Sequence, residues 1–363
     1  MYKYLSQTLT FIHTYIFSHF HGHHFISTNY YLFLYDKTSV LIAFLLRDII
    51  SKITTKVMKM EQTKWIEKIK KIKKENHVLI LAHYYVDEMV QEVADFVGDS
   101  YYLSQIALKQ KQNTIVFCGV RFMGESAKIL NPHKKIILVE TSADCPMAHM
   151  VDVEKIKKTR KQYDDLAIVC YINSTPEVKA LSDVCVTSSN AVTITKQLKQ
   201  KNIFFIPDEN LGRYVQSQVP EKNFIFNQGF CYVHKNINKD QVLQIKSNIP
   251  EAKVLVHPEC TMDVLEIGDY IGSTSGIIRY VSESKEQKFI ICTEQGILHE
   301  LKKRNPDKEF FFVTPTSICS DMKKITLQKV YNAIQTLEPE ITLDHHLQEN
   351  AKNALEKMHL LAK

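Results

Sequence analysis

Three stretches of equal length follow one plan: LAHYYVDEMVQEVADFVGDS (81–100), VCYINSTPEVKALSDVCVTS (169–188) and LVHPECTMDVLEIGDYIGST (255–274). Each opens with the end of an apolar strand, passes through a stretch with helical apolar spacing, and reaches an acid: Asp95, Asp183 or Asp269. Five residues later stands a hydroxyl, Ser100, Ser188 or Thr274. The register continues through a helix, a strand (TIVFCGV, IFFIPDE, FIICTEQ), a second helix (GESAKIL, LGRYVQS, GILHELKKR) and a third strand (KIILVE, NFIFNQ, EFFFVT). Self-similarity at a fixed period marks repeated structural units, and alternating strand and helix within a unit calls for parallel sheets covered by helices. The expected fold is α/β: three homologous three-layer α/β/α units with parallel sheets around a pseudo-threefold axis. The first repeat, with a lead-in helix, spans 61–165, the second 166–250, and the third, with C-terminal helices, 251–363.

A cysteine closes each unit. Cys145 lies 45 residues after Ser100, Cys231 lies 43 after Ser188, and Cys319 lies 45 after Thr274. The other five do not recur: Cys118 and Cys292 share a strand position that holds Ile206 in the second copy, Cys170 aligns with Ala82 and Val256, and Cys185 and Cys260 have no cysteine counterparts. Those five are expected in the core, where free cysteine packs as a small hydrophobe.

Functional groups in parallel α/β units collect beyond the carboxyl ends of the strands. Three equivalent loops around one axis would therefore bring Cys145, Cys231 and Cys319 together. Three thiolates can hold a metal ion or an iron–sulfur cluster and leave one coordination position open, which suits Lewis-acid chemistry. A second set, His83, Tyr171 and His257, shares one position, and Tyr85, Asn173 and Glu259 share the position two residues on. A lone histidine at a strand end is commonly structural, but six polar or titratable groups at equivalent strand ends fit proton transfer and hydrogen bonding. The third set is Ser100, Ser188 and Thr274, each expected at a helix N-terminus. There a hydroxyl can serve as a cap, or join the backbone N–H groups in binding an anion. Together the three sets point to an enzyme for a small polyanionic substrate, with an open metal centre assisting loss of water or another oxygen leaving group.

Composition removes other classes. A net charge of +6 over 363 residues is mild, and the lysines are scattered over helices such as KWIEKIKKIKK, so no nucleic-acid partner is expected. No run approaches the roughly 20 apolar residues of a membrane span. Eight cysteines without a convincing signal peptide suit a reduced, cytoplasmic protein with thiols or metal ligands rather than disulfides. Residues 1–60 differ from the rest, being rich in Tyr, Phe, His and Ile, with only Asp36 and Asp48 as acids. They are expected to be an extension outside the core fold, their HFHGHH run a stray histidine-rich tract, with Met58 or Met60 as an alternative start.

The segments NPHKKIILVETSADCPMA, YINSTPEVKALSDVCVTSSNAV, PDENLGRYV, HPECTMDVLEIGDYIGSTSGIIRYV, TEQGILHELKKRNPDKEF and CSDMKKITLQKVYNAI resemble the quinolinate synthase family, from about residue 62 to the C-terminus. That resemblance implies a [4Fe-4S] cluster held by Cys145, Cys231 and Cys319, with one iron free of protein ligands. It implies condensation of iminoaspartate with dihydroxyacetone phosphate to quinolinate, with loss of phosphate and two waters, in de novo NAD biosynthesis. The implied partners are L-aspartate oxidase or aspartate dehydrogenase as the iminoaspartate source, and the iron–sulfur assembly machinery. Position by position it implies substrate contacts from His83, Ser100, Tyr171, Ile172, Asn173, Ser188, His257, Pro258, Glu259 and Thr274, and proton transfer by Tyr85, Glu259 and His257. GFCYVH departs from the family pattern, with bulky Phe230 and Tyr232 flanking Cys231, while His234 stays in place. The rival readings are another [4Fe-4S] hydro-lyase acting on a small hydroxy acid, in the manner of aconitase, and a non-catalytic iron–sulfur or zinc redox sensor.

Overall fold

The computed structural model describes residues 51–52, 60–313 and 317–363. The N-terminal extension, its histidine-rich run and Met58 lie outside the described residues, apart from 51, 52 and 60. Residues 62–363 form one compact unit, and no described helix is long and apolar enough to cross a membrane.

Three four-stranded sheets carry the unit. The first holds β1 (Leu79–His83), β2 (Phe96–Gly98), β3 (Thr114–Cys118) and β4 (Lys135–Leu138) in the order β2-β1-β3-β4. The second holds β5 (Leu166–Tyr171), β6 (Val184–Val186), β7 (Asn202–Ile206) and β8 (Asn223–Phe226), ordered β6-β5-β7-β8. The third holds β9 (Lys253–Val256), β10 (Tyr270–Ile271), β11 (Lys288–Cys292) and β12 (Glu309–Phe312), ordered β10-β9-β11-β12. Every pairing is parallel, and the strand order is the same in all three, as the repeat requires.

Both faces of each sheet are covered, so successive residues of a strand enter different cores. In the third repeat Val254, Val256, Ile290 and Cys292 pack with Val242 and Val264 on one face. Their neighbours Leu255, Phe289 and Ile291 pack with Ile277, Val281 and Leu301 on the other. The C-terminal helix His345–Leu361 packs against β6 and the helices Pro176–Ala180 and Arg121–Leu130, so it spans two repeats. The five non-recurring cysteines, Cys118, Cys170, Cys185, Cys260 and Cys292, are fully buried, as expected of core residues.

Two recurrences hold each repeat in shape. The repeat acids are structural: Oδ2 of Asp95, Asp183 and Asp269 accepts the backbone N–H of Ile80, Ile168 and Val254 at 2.8, 2.7 and 2.8 Å. Lys73, Arg160 and Lys253 neutralise these carboxylates at 2.9, 2.9 and 3.2 Å. Each acid thus joins the turn before a repeat's second strand to the start of its first. The second recurrence is a lysine that closes a helix C-terminus, where carbonyls lack intrahelical partners and a cation is favoured. Lys134 Nζ donates to Ala107 O and Gln110 O at 2.6 and 2.7 Å. Lys222 donates to Leu198 O and Gln200 O at 2.6 and 2.8 Å, and Lys308 to Val281 O and Ser284 O at 2.5 and 2.7 Å.

Candidate active site

Cys145, Cys231 and Cys319 line one cavity of about 800 Å3, each contributed by a different repeat. All three are free thiols, partly exposed to that cavity. Each sits at the same place, past the end of its repeat's last strand, and each loop is fixed through the cysteine's own backbone N–H. Cys231 N donates to Asp208 Oδ2 at 3.2 Å, Cys319 N to Glu294 Oε1 at 3.1 Å, and Cys145 N to Asp144 Oδ1 at 2.8 Å. Asp208 and Glu294 are fully buried equivalents, two residues beyond β7 and β11, where the first repeat has Val120. The first repeat therefore supplies its carboxylate from the cysteine loop itself. Burial pushes all three thiols up, and their mutual repulsion adds to this for Cys145. Protonated thiols crowded in one cavity suit a cationic centre, which would displace their protons on binding. Three thiols lining the cavity, with Met147 and Met322 as the only other sulfurs there among the described residues, fit a cluster that keeps one open iron.

The strand-end residues also line the cavity: His83, Tyr171 and His257, then Tyr85, Asn173 and Glu259. Ile172 and Pro258 do not line it, because residues alternate about a strand end and these two fall between the inward pair; both are buried. His83 and His257 use Nδ1 to accept the backbone N–H two residues on, from Tyr85 at 3.2 Å and Glu259 at 3.3 Å. That leaves the proton on Nε2. Burial holds both imidazoles down to about 3, so they are neutral donors at Nε2. Asn173 Oδ1 is buried without a hydrogen-bond partner among the described residues. An orphaned acceptor of this kind, in a side chain lining a cavity, is suited to a ligand's N–H or O–H.

A chain of hydrogen bonds crosses all three repeats beside the thiols. His234 Nδ1 meets Cys231 Sγ at 3.2 Å and lies 2.7 Å from Glu259 Oε2. His234 Nε2 meets Thr293 Oγ1 at 2.9 Å, Thr293 Oγ1 meets Tyr85 OH at 2.9 Å, and Tyr85 OH meets Thr274 Oγ1 at 2.7 Å. Burial works against charge on Glu259, but the adjacent His234 and His257 and the Tyr171 hydroxyl hold its carboxyl down to about 2. Burial pushes Tyr85 and Tyr171 well above the usual phenol value, so both stay protonated at neutral pH. Cys231 Sγ, His234 and Glu259 offer ligand atoms within 4.8 Å of one another, a grouping that could also take a single metal ion.

The hydroxyls line the cavity as expected, but they are not the helix caps. Asp99 caps the helix Ser100–Lys109 by accepting from Tyr102 N, and Ser273 caps Thr274–Glu283 by accepting from Gly276 N. Ser188 lies in the turn before Ala191–Gln197, whose cap position is Asn190. An Asp or Ser immediately upstream took the capping role in two repeats, so Ser100 and Thr274 enter the first helical turn with hydroxyls free for other bonds. His234, Thr293, Asp208 and Glu294 complete the site although the strand-end register did not single them out as contacts. For Asp208, Thr293 and Glu294 the signal was the position just beyond β7 or β11: Asp208 and Glu294 align with each other there, and Thr293 precedes Glu294.

The family model described as Quinolinate synthetase A protein matches residues 67–360. A quinolinate synthase of Clostridioides difficile (strain 630) is 51% identical over 294 residues, covering 81% of this chain and 97% of that protein. A quinolinate synthase of Fusobacterium nucleatum is 51% identical over 296 residues (82% and 99%), and one of Caldicellulosiruptor bescii 51% over 290 residues (80% and 96%). With the repeated fold and the shared cavity, these likenesses establish that the chain belongs to the quinolinate synthase family, enzymes of NAD biosynthesis.

Proposed function

We propose that this chain condenses iminoaspartate with dihydroxyacetone phosphate, forming quinolinate and releasing one phosphate and two waters. The observation that carries the reading is the hydrogen-bonded chain from His234 to Thr274, running beside three converging thiols and drawn from all three repeats. Cys145, Cys231 and Cys319 would hold a [4Fe-4S] cluster, whose open iron supplies Lewis-acid assistance for loss of a substrate hydroxyl as water. The protein's own groups account for the rest. Neutral His83 and His257 offer Nε2–H donors, and Ser100, Ser188 and Thr274, the last through a hydroxyl it shares with Tyr85, offer hydroxyls to two anionic substrates. Asn173 Oδ1 accepts from the imine or a hydroxyl. Tyr85 stays protonated and serves as a proton donor, refilled along Thr293 and His234, while Glu259 remains a carboxylate that orients His234, with the Tyr171 hydroxyl in the same cavity. His257, stacked on His234 at 4.4 Å, completes the proton-handling group. Ile172 and Pro258 place their neighbours rather than touching substrate.

The reading makes L-aspartate oxidase or aspartate dehydrogenase the source of iminoaspartate, the iron–sulfur assembly machinery the source of the cluster, and the cytoplasm the compartment. No nucleic-acid or membrane partner is needed. The three-repeat division at 61–165, 166–250 and 251–363, with 1–60 outside the core, belongs to the same proposal. Anaerobic purification, iron and sulfide analysis and an assay with both substrates test it; a hydro-lyase of another kind would turn over a hydroxy acid without the triose phosphate. The zinc-sensor alternative draws on the Cys231, His234 and Glu259 grouping, and stoichiometric zinc in an inactive protein would favour it.

A further inference from the structure

The three cysteine loops come from different repeats, yet they are joined edge to edge around the cavity. The second is tied to the first where Asn227 Nδ2 donates to Met150 O at 2.8 Å and Phe230 N meets Met150 Sδ at 3.5 Å. The third is tied to the first where Lys324 Nζ donates to Ser142 O at 2.8 Å, and to the loop after β1 where Lys323 Nζ donates to Tyr85 O at 2.6 Å. Between the second and third loops the link is Tyr232. Its hydroxyl accepts from Ser320 N at 2.9 Å and pairs with Ser320 Oγ at 3.0 Å. Tyr232 follows Cys231, Ser320 follows Cys319, and Tyr232 and Cys319 both line the cavity.

We propose that Tyr232 is a positioning residue for the cluster. Its hydroxyl locks the Cys319 loop to the Cys231 loop through Ser320, the residue that follows Cys319. The proposal rests on the cluster reading given above. Accepting the Ser320 N–H occupies one lone pair and leaves the O–H free to donate to Ser320 Oγ, so the two loops are joined twice. Hydrogen bonds to ligating sulfurs and restricted solvent access both govern how firmly a cluster is held and where its potential lies. The bulk that set Tyr232 apart in the sequence thereby gains a purpose: a smaller side chain would not span the two loops.

The test uses full-length wild type, Tyr232→Phe and Ser320→Ala, reconstituted anaerobically. Cluster loss to EDTA is followed by visible absorbance, and the midpoint potential by spectroelectrochemical titration. Tyr232→Phe should load the cluster, lose it about tenfold faster than wild type, and show a shifted potential because the loop around Cys319 is no longer held and solvent access changes. Ser320→Ala should lose the cluster at an intermediate rate with a smaller change in potential. If Tyr232→Phe fails to load while its circular dichroism and melting match wild type, the locking role stands. If it fails to fold, Ser320→Ala decides by the same two readouts. A loaded wild type with both variants indistinguishable from it overturns this proposal alone; a wild type that takes up no iron and sulfide overturns the cluster reading and this proposal with it.

Discussion

Thr293→Val exchanges a hydroxyl for a methyl of nearly the same shape in a fully buried residue, and it cuts the hydrogen-bonded chain at its midpoint. Two bonds vanish, each 2.9 Å long, to His234 Nε2 and to Tyr85 OH. Tyr85 keeps Thr274 at 2.7 Å and His234 keeps Glu259 at 2.7 Å, so each end stays anchored. What remains is a buried imidazole nitrogen without a partner, costing about 1–3 kcal/mol of stability, which lowers the melting temperature by a few degrees. Loss of a positioned proton-transfer path costs about 10²–10⁴-fold in turnover, equivalent to about 3–5 kcal/mol in the barrier. Against a folding stability of about 5–15 kcal/mol, the stability loss leaves almost all of the chain folded. Unfolding therefore cannot produce the activity loss. Quinolinate formation by anaerobic, cluster-loaded protein, paired with thermal melting, separates the two effects, and Thr293→Ser should restore most of the turnover. A Thr293→Val enzyme with wild-type turnover would refute the role given to this chain of bonds.

Three further outcomes follow from named contacts. His83 and His257 are lowered from the usual 6.5 to about 3. Between those values the unfolded chain binds more protons than the native one, so each buried histidine costs about 1.4 kcal/mol of stability per pH unit as pH falls below 6.5. Asp208 and Glu294, pushed up by burial, act in the opposite sense, so the measurement is the difference between wild type and His257→Gln, whose denaturation midpoint should fall less steeply from pH 6.5 to 4.5. Lys308→Met removes the cation from Val281 O and Ser284 O and should cost about 1.5–3 kcal/mol in chemical denaturation, with cluster content unchanged. Glu294→Gln keeps the shape that holds Cys319 N but loses the ion pair with Lys323 at 3.0 Å; cluster loading should fall in part, as read by iron analysis.

The repeat register made the fold legible because apolar strands alternating with helices and a fixed cysteine spacing report directly on topology. The same register brought Cys145, Cys231 and Cys319 to one cavity with the strand-end groups. It did not reveal that Asp99 and Ser273, one residue upstream, would take over capping from the hydroxyls; adjacent Asp and Ser compete for the same N–H groups, and only backbone geometry decides between them. Nor could it separate Tyr171 and Asn173 from Ile172, or His257 and Glu259 from Pro258, until alternation about the strand end was fixed. Thr293 and His234 were hidden for a different reason. They occur in one repeat each, so no symmetry announces them, and their partners lie across repeat boundaries. The lysine clips escaped notice because Lys134, Lys222 and Lys308 sit among many surface lysines of similar local sequence.

The most direct test of the account is iron and sulfide content per chain after anaerobic reconstitution, for wild type and for Cys145→Ser, Cys231→Ser, Cys319→Ser, Cys118→Ser and Cys292→Ser. The account predicts about four irons and four sulfides in wild type, with the complement lost in the first three variants and kept in any folded form of the last two. A colourless wild type fully occupied by another metal, or a full cluster retained after Cys145→Ser, would contradict it.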